Sequence, residues 1–184
     1  MTMSRTEIKI GGFGGQGVIL AGLVLARALS LYEGKQAVFT QEYGAEARGG
    51  SSASGVVIDD ERVDYPYPLN PDIMVLMSQG AMKTYLPLMK EGGTLIIEKD
   101  LVRLDKIPDS VGEFHSIPAT RLAEEVLGNK IVTNIIMVGF IAKVTGVVSK
   151  ENIKRSVLEM VPGKVRELNE RAFETGYNYD EGAE

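Results

Sequence analysis

Apolar residues fall in short blocks divided by glycines and polar turns, and the blocks alternate between strand and helix length. Ile8 and Ile10 alternate with polar neighbours and open a strand that runs to a glycine cluster. Residues 18–32 are apolar on nearly every side, which predicts a helix buried by a sheet or by another subunit and closed by Gly34. Residues 36–40 predict a second strand, 43–52 a glycine-rich polar loop, and 53–58 a third strand that turns at Asp59-Asp60-Glu61 before Val63. Residues 65–71 (Tyr-Pro-Tyr-Pro-Leu-Asn-Pro) predict a stiff linker with three prolines.

The run 72–77 is continuously apolar after Asp72 and ends at Ser78-Gln79-Gly80, the pattern of a central strand covered on both faces. A helix over 81–89, shortened by Pro87, leads through Gly92-Gly93 into a buried strand at 94–97. A short strand at 113–117 precedes a helix at 120–127, closed by Gly128, and a second apolar helix at 133–145. Ser149 is placed to cap a helix over 150–160. Pro162 opens a last amphipathic helix over 162–173, with Gly176 closing it. Strands alternating with helices predict an α/β fold: a three-layer α/β/α sandwich with a mostly parallel sheet and a Rossmann-like glycine turn after the first strand. The 184 residues are expected to form a single domain, with a frayed acidic tail at about 178–184.

Composition narrows the chemistry. Twenty basic against 25 acidic residues give a net charge of -5, which disfavours nucleic acid because no basic cluster offsets it. Cysteine is absent, so there is no thiolate nucleophile and no cysteine ligand for zinc or an iron–sulfur cluster. The one histidine, His115, excludes an imidazole-based metal site and reads as structural. No apolar run approaches the roughly 20 residues that span a bilayer, and no signal precedes the first strand, so the expected location is the cytoplasm and no membrane contact is expected.

Two glycine-marked segments remain. Gly12, Gly14 and Gly17 fit G-x-G-x-x-G between a strand and a helix; with Gly15 and Gln16 they form a turn that serves either as a phosphate cradle or as a packing turn between helix and sheet. A dinucleotide site also needs an acidic residue about 20 positions further on, at the end of the second strand; Glu42 is the nearest candidate. The second segment, Glu46-Ala47-Arg48-Gly49-Gly50, sets a carboxylate and an always-charged planar guanidinium beside two glycines, suiting an anionic ligand or a partner backbone, or an internal Glu46–Arg48 pair. Gln79 could reach a ligand at the sheet edge, and Ser78 could equally cap the helix after it. No Ser/His/Asp set, thiol or metal cluster is present, so no catalytic residue is named.

Taken together, Gly12 to Gly17, Thr40 to Gly50, Asp72 to Gln79, Gly92-Gly93-Thr94, Thr133-Asn134 and Asn169 to Tyr177 resemble the gamma subunit of 2-oxoacid:ferredoxin oxidoreductases. The family often has Ser-Tyr-Gly-Pro-Glu where this chain has Glu42-Tyr43-Gly44-Ala45-Glu46, so no family role passes to Glu42. The resemblance implies a non-catalytic subunit of an enzyme that oxidatively decarboxylates a 2-oxoacid, 2-oxoglutarate ahead of pyruvate, to an acyl-CoA and reduces ferredoxin. It implies alpha and beta subunits, with delta where present, as partners. Thiamine diphosphate, magnesium and iron–sulfur clusters would lie elsewhere in the complex, with none bound by this chain alone. Gly12, Gly14, Gly15, Gln16, Gly17, Glu46, Arg48, Gly49 and Gly50 would contact a partner or coenzyme A. The isolated chain would be inactive and able to form a homodimer through its apolar helices. A stand-alone nicotinamide-dependent oxidoreductase and a regulatory nucleotide-binding module are the alternatives that the glycine turn allows.

Overall fold

The computed structural model describes residues 5–44 and 50–182. Six strands form one sheet: β1 (Thr6–Phe13), β2 (Gln36–Tyr43), β3 (Ser51–Asp59), β4 (Ile73–Leu76), β5 (Gly93–Glu98) and β6 (Val111–Ile117), in the order β2-β3-β1-β4-β5-β6. β1, β4, β5 and β6 are mutually parallel, as expected. β3 runs antiparallel to both β1 and β2, an arrangement that the spacing of apolar blocks did not reveal. β4, the predicted central strand, is fully buried along its length.

The helices are α1 (Val18–Leu31), α2 (Gln79–Tyr85), α3 (Ala119–Glu125), α4 (Thr133–Thr145), α5 (Lys150–Met160) and α6 (Arg166–Tyr177). One sheet face carries Ile8, Ile10, Val56, Val75 and Ile96 and packs on α1 and α4, and α3, α5 and α6 complete the same core by packing on those helices. The opposite face carries Ala53, Met74, Leu76, Leu95 and Ile97 and packs on one helix, α2, through Ala81 and Tyr85, and on Val102 in the segment after β5. The three layers are therefore present but unequal. The proline-rich segment lies against the thinly covered face. Glu7 Oε2 accepts the amides of Leu69 (2.7 Å) and Asn70 (3.0 Å), which fixes that segment.

Several boundaries differ from expectation for physical reasons. Pro87 ends α2 early, and Leu86–Leu88 tightens into a 3-10 turn because proline cannot donate to a longer helix. Ser149 does not cap α5 with its side chain; its hydroxyl donates to Glu33 Oε1 (2.7 Å), and this bond holds the Glu33 carboxyl below its ordinary range. Gly176 does not terminate α6 but lies within it, where it lets α4 come close. Over 178–182 the tail lies against the body of the fold. Tyr179 meets Phe140 edge-on at 5.7 Å, and Glu181 accepts the Ser116 amide (2.7 Å) and contacts His115 Nδ1 (2.8 Å). His115 thus ties the tail to β6, a structural role. Helix α4 is buried from Thr133 to Ala142 by this chain's own sheet and helices, so it is not a subunit interface.

Glu98 supplies a pH test of this core. It is fully buried at the end of β5; Oε1 accepts the Thr120 amide (3.1 Å), while Oε2 has no partner. Burial pushes its carboxyl above the ordinary value. The folded state therefore holds this proton more tightly than the unfolded chain does. Stability from this group is greatest below the ordinary carboxylate range and falls as pH rises through the elevated folded value. Glu98→Gln keeps the acceptor and removes the buried charge. The expected result is a melting temperature raised by a few degrees at pH 7, about 1 kcal/mol, with little change near pH 4. Equal shifts at both pH values would show that the charge is not what costs stability.

Candidate functional site

The site follows from the topology. β1 and β4 are parallel neighbours, in register from Ile8↔Ile73 to Gly11↔Leu76. After β1 the chain crosses to one sheet face in α1; after β4 it crosses to the other in α2. A crevice must open where neighbouring strands send their connections to opposite faces, beyond their C-terminal ends. An open cleft of about 460 Å³ lies there. Gly12, Phe13, Gly50 and Ser51 form one wall; Ser78, Gln79, Gly80, Ala81 and Thr84 form the other, with Leu101 at its rim. None of these side chains is charged, and Phe13 and Leu101 are exposed apolar groups (42% and 38%).

Backbone clamps built from side-chain amides hold the walls. Gln16 Oε1 accepts the Phe13 amide (2.9 Å) and its Nε2 donates to the Met77 carbonyl (2.7 Å), so one side chain ties the ends of β1 and β4. Gln79 Oε1 accepts the Arg103 amide (2.7 Å) and its Nε2 donates to the Arg103 carbonyl (3.2 Å), which closes the Leu101 side. Ser78 Oγ accepts the Ala81 amide (3.1 Å) and caps α2. Gly14 N–H donates to the Gly50 carbonyl (2.8 Å) and joins the two glycine segments. Gly11 lies beneath: a Cβ there would stand 2.7 Å from the Tyr85 ring.

The expected contact residues divide accordingly. Gly12 and Gly50 line the cleft. Gly14 and Gln16 shape it, but the Gln16 amide is spent on backbone groups and is not a free donor as expected. Gly15 (φ 103°) faces open space. Gly17 (φ 73°) packs α1 against α4: a Cβ would stand 2.5 Å from Asn134 Nδ2, and that amide donates to the Gly17 carbonyl (3.3 Å). The N-terminus of α1 therefore abuts α4 through Gly17, as the packing alternative for this turn expects. Glu46, Arg48 and Gly49 lie outside the described residues; the flanking Gly44 and Ser51 are joined by a 2.6 Å backbone bond. Gln79 and Ser78 both serve structure. Phe13, Thr84 and Leu101 were not foreseen. Phe13 lies within the glycine motif and Thr84 one helical turn past Gly80, but Leu101 carries no local signal.

The geometry also removes the dinucleotide reading. β3 lies between β1 and β2, so Glu42 sits on the sheet edge, two strands from the glycine turn. Its carboxylate binds the Lys9 ammonium and cannot serve a ribose. Among the described residues no group of three His, Cys, Asp or Glu side chains could hold a metal ion, and no helix is long and apolar enough to cross a membrane.

Comparison with known proteins covers most of the chain. The family model described as pyruvate ferredoxin/flavodoxin oxidoreductase matches residues 7–179. The 2-oxoglutarate synthase subunit KorC of Methanocaldococcus jannaschii is 48% identical over 173 residues, covering 94% of this chain and 92% of that protein. The pyruvate synthase subunit PorC of the same organism is 34% identical over 176 residues, covering 94% and 95%. The crystal structure of the keto/oxoacid ferredoxin oxidoreductase gamma subunit from Geobacter sulfurreducens superposes with a TM-score of 0.80 at 41% identity, covering 94% of this chain and 96% of that one.

Proposed function

Since the chain belongs to the pyruvate ferredoxin/flavodoxin oxidoreductase family, we propose that it is the gamma subunit of a 2-oxoacid:ferredoxin oxidoreductase whose oxoacid is 2-oxoglutarate. One observation carries the substrate: identity is 48% to a 2-oxoglutarate synthase subunit and 34% to a pyruvate synthase subunit of one organism, at similar coverage. The complex would oxidise and decarboxylate the oxoacid, transfer the acyl group to coenzyme A and pass electrons to ferredoxin, in the cytoplasm. Residues 1–184 act as one gamma-type module.

The donor set of this chain does not fit the redox groups of such a complex. A cysteine-free sequence has no thiolates for an iron–sulfur cluster, so alpha, beta and, where present, delta subunits would hold the clusters, thiamine diphosphate and magnesium. The cleft does fit the uncharged arm of coenzyme A: its walls are mostly glycine and small residues, Phe13 and Leu101 add apolar surface, and no charge needs neutralising. The phosphates of that ligand require a cation, which the cleft lining lacks. Arg48, two residues before Gly50 in the sequence, is the cation we assign to them, with Glu46 and Gly49 as its sequence neighbours.

The test is anaerobic isolation of the complex from its own cells through this chain, followed by oxoacid-dependent viologen reduction. Companion subunits should co-purify, and turnover with 2-oxoglutarate should exceed turnover with pyruvate; recovery of the chain alone, or the reverse order of substrates, would overturn the reading. In the assembled complex Arg48→Ala should raise KM for coenzyme A about tenfold or more, the loss of one charge-assisted contact. The melting temperature of the isolated chain should not move. Unchanged KM, turnover and assembly would remove Arg48 from the site.

A further inference from the structure

The two edges of the sheet differ. β6 is blunted. Its ladder to β5 slips at Gly93/Thr94, the strand contains Gly112, Glu113 and His115, and Glu181 covers it by accepting the Ser116 amide. Among the described residues β2 has none of these features. Its eight residues pair with β3 without a break, from Gln36↔Asp59 to Tyr43↔Ser52. It contains no lysine, arginine, proline or glycine, and its one carboxylate, Glu42, is bound by Lys9. Among the described residues no strand lies beyond it. Folded chains normally protect an edge of this length with a lysine, a proline, a bulge or a covering segment, because its outward N–H and C=O groups template another strand. Beside this edge Tyr43 is 67% exposed, and on α1, where Gly22 packs on Phe39, the adjacent Leu23 is 38% exposed.

We propose that β2 pairs antiparallel with β2 of a second copy of this chain about a two-fold axis, joining the two sheets into one. The strand itself selects this occupant. With Glu42 neutralised from within by Lys9, the edge has no net charge, so two copies meet without like charges opposed and a charged partner gains nothing. An axis normal to the sheet keeps both α1 helices on one face and brings Tyr43 and Leu23 of the two copies to the same seam. One isologous contact then satisfies both edges at once. The pairing is independent of the oxoacid and of the coenzyme A reading.

Sedimentation velocity of the full chain between about 1 and 200 µM should show a monomer–dimer equilibrium. Gln41→Lys/Tyr43→Lys adds four positive charges to the seam on exposed positions; it should weaken dimerisation at least tenfold and leave the circular dichroism spectrum unchanged, with the melting temperature equal to that of wild type only at concentrations where both are monomeric. A wild-type chain that stays monomeric throughout, or a dimer indifferent to the double substitution, would overturn the proposal. Should that variant misfold, amide exchange on the wild-type chain decides. Exchange in peptides spanning Gln36–Tyr43 should slow as concentration rises, and exchange that does not depend on concentration overturns the pairing.

Discussion

Gly176→Ala should lower the melting temperature by about 6–12 °C, a loss of about 3 kcal/mol. Helices α4 and α6 meet through a reciprocal pair of glycines. A methyl group on Gly176 would overlap the carbonyl oxygen of Ile136, and one on Gly139 would overlap that of Phe173. Backbone carbonyls within helices cannot swing aside, so the substitution must drive the two helices apart. Phe173 and Phe140, the largest fully buried side chains, lie at this contact and would lose close packing along their length. The propensity gain of alanine over glycine, about 1 kcal/mol in a helix interior, is too small to offset that loss. Gly163 is the matched control: nothing lies within 4 Å of the position a Cβ would take, so Gly163→Ala should be neutral or slightly stabilising. Thermal melts of both variants decide the point. A Gly176→Ala protein melting within a degree or two of wild type would mean that the helices are not in the contact described.

Glu42→Leu should destabilise the chain by about 2–4 kcal/mol, whereas Lys9→Met should cost less than about 1 kcal/mol. The asymmetry follows from exposure. Lys9 is buried (4% exposed) and its ammonium has the Glu42 carboxylate as partner and the Tyr85 ring at 4.8 Å; Glu42 itself is 40% exposed. Removing the carboxylate strands a charge in the protein interior, while removing the lysine leaves a carboxylate that water can reach. The estimate for Glu42→Leu lies below that for a fully enclosed pair for this reason. Methionine retains most of the lysine volume and a favourable sulfur contact with Tyr85. The double variant Lys9→Met/Glu42→Leu should therefore recover most of the stability lost in Glu42→Leu. Denaturant unfolding of the four proteins measures this cycle, and equal costs for the two single variants would contradict it. The pair also matters for the site: it anchors the end of β2, which leads through Gly44 toward Gly50 on the cleft wall.

Much of the fold was legible in the chain because it is written in local pattern. The run before Ser78 is apolar without interruption, and such a run is stable only as a strand covered on both faces. The boundaries of α4 follow directly from its apolar block, and Gly34 and Gly128 end their helices with positive φ as glycines do. Gly12, Gly14 and Gly50 stood out in the cleft region because glycine is conspicuous where backbones approach. What each glycine approaches was not legible. Gly17 faces Asn134 and Gly176 faces Ile136, partners far away in sequence, so neither identity nor spacing could separate a ligand cradle from a helix contact.

Local periodicity, composition and the joint spacing of two glycine segments were enough to read the order of strands and helices, the absence of thiolate chemistry and the resemblance to a gamma subunit from the chain. The rest came from the packing of elements distant along the chain. That packing inserted β3 between β1 and β2, which carried Glu42 away from the glycine turn and into the pair with Lys9. It turned the Gln16 and Gln79 amides onto the backbone and left a neutral cleft between β1 and β4. Hydrogen-bond partners and charge pairs are settled by which strands become neighbours, and neighbourhood in a sheet is a property of the whole chain closing on one core.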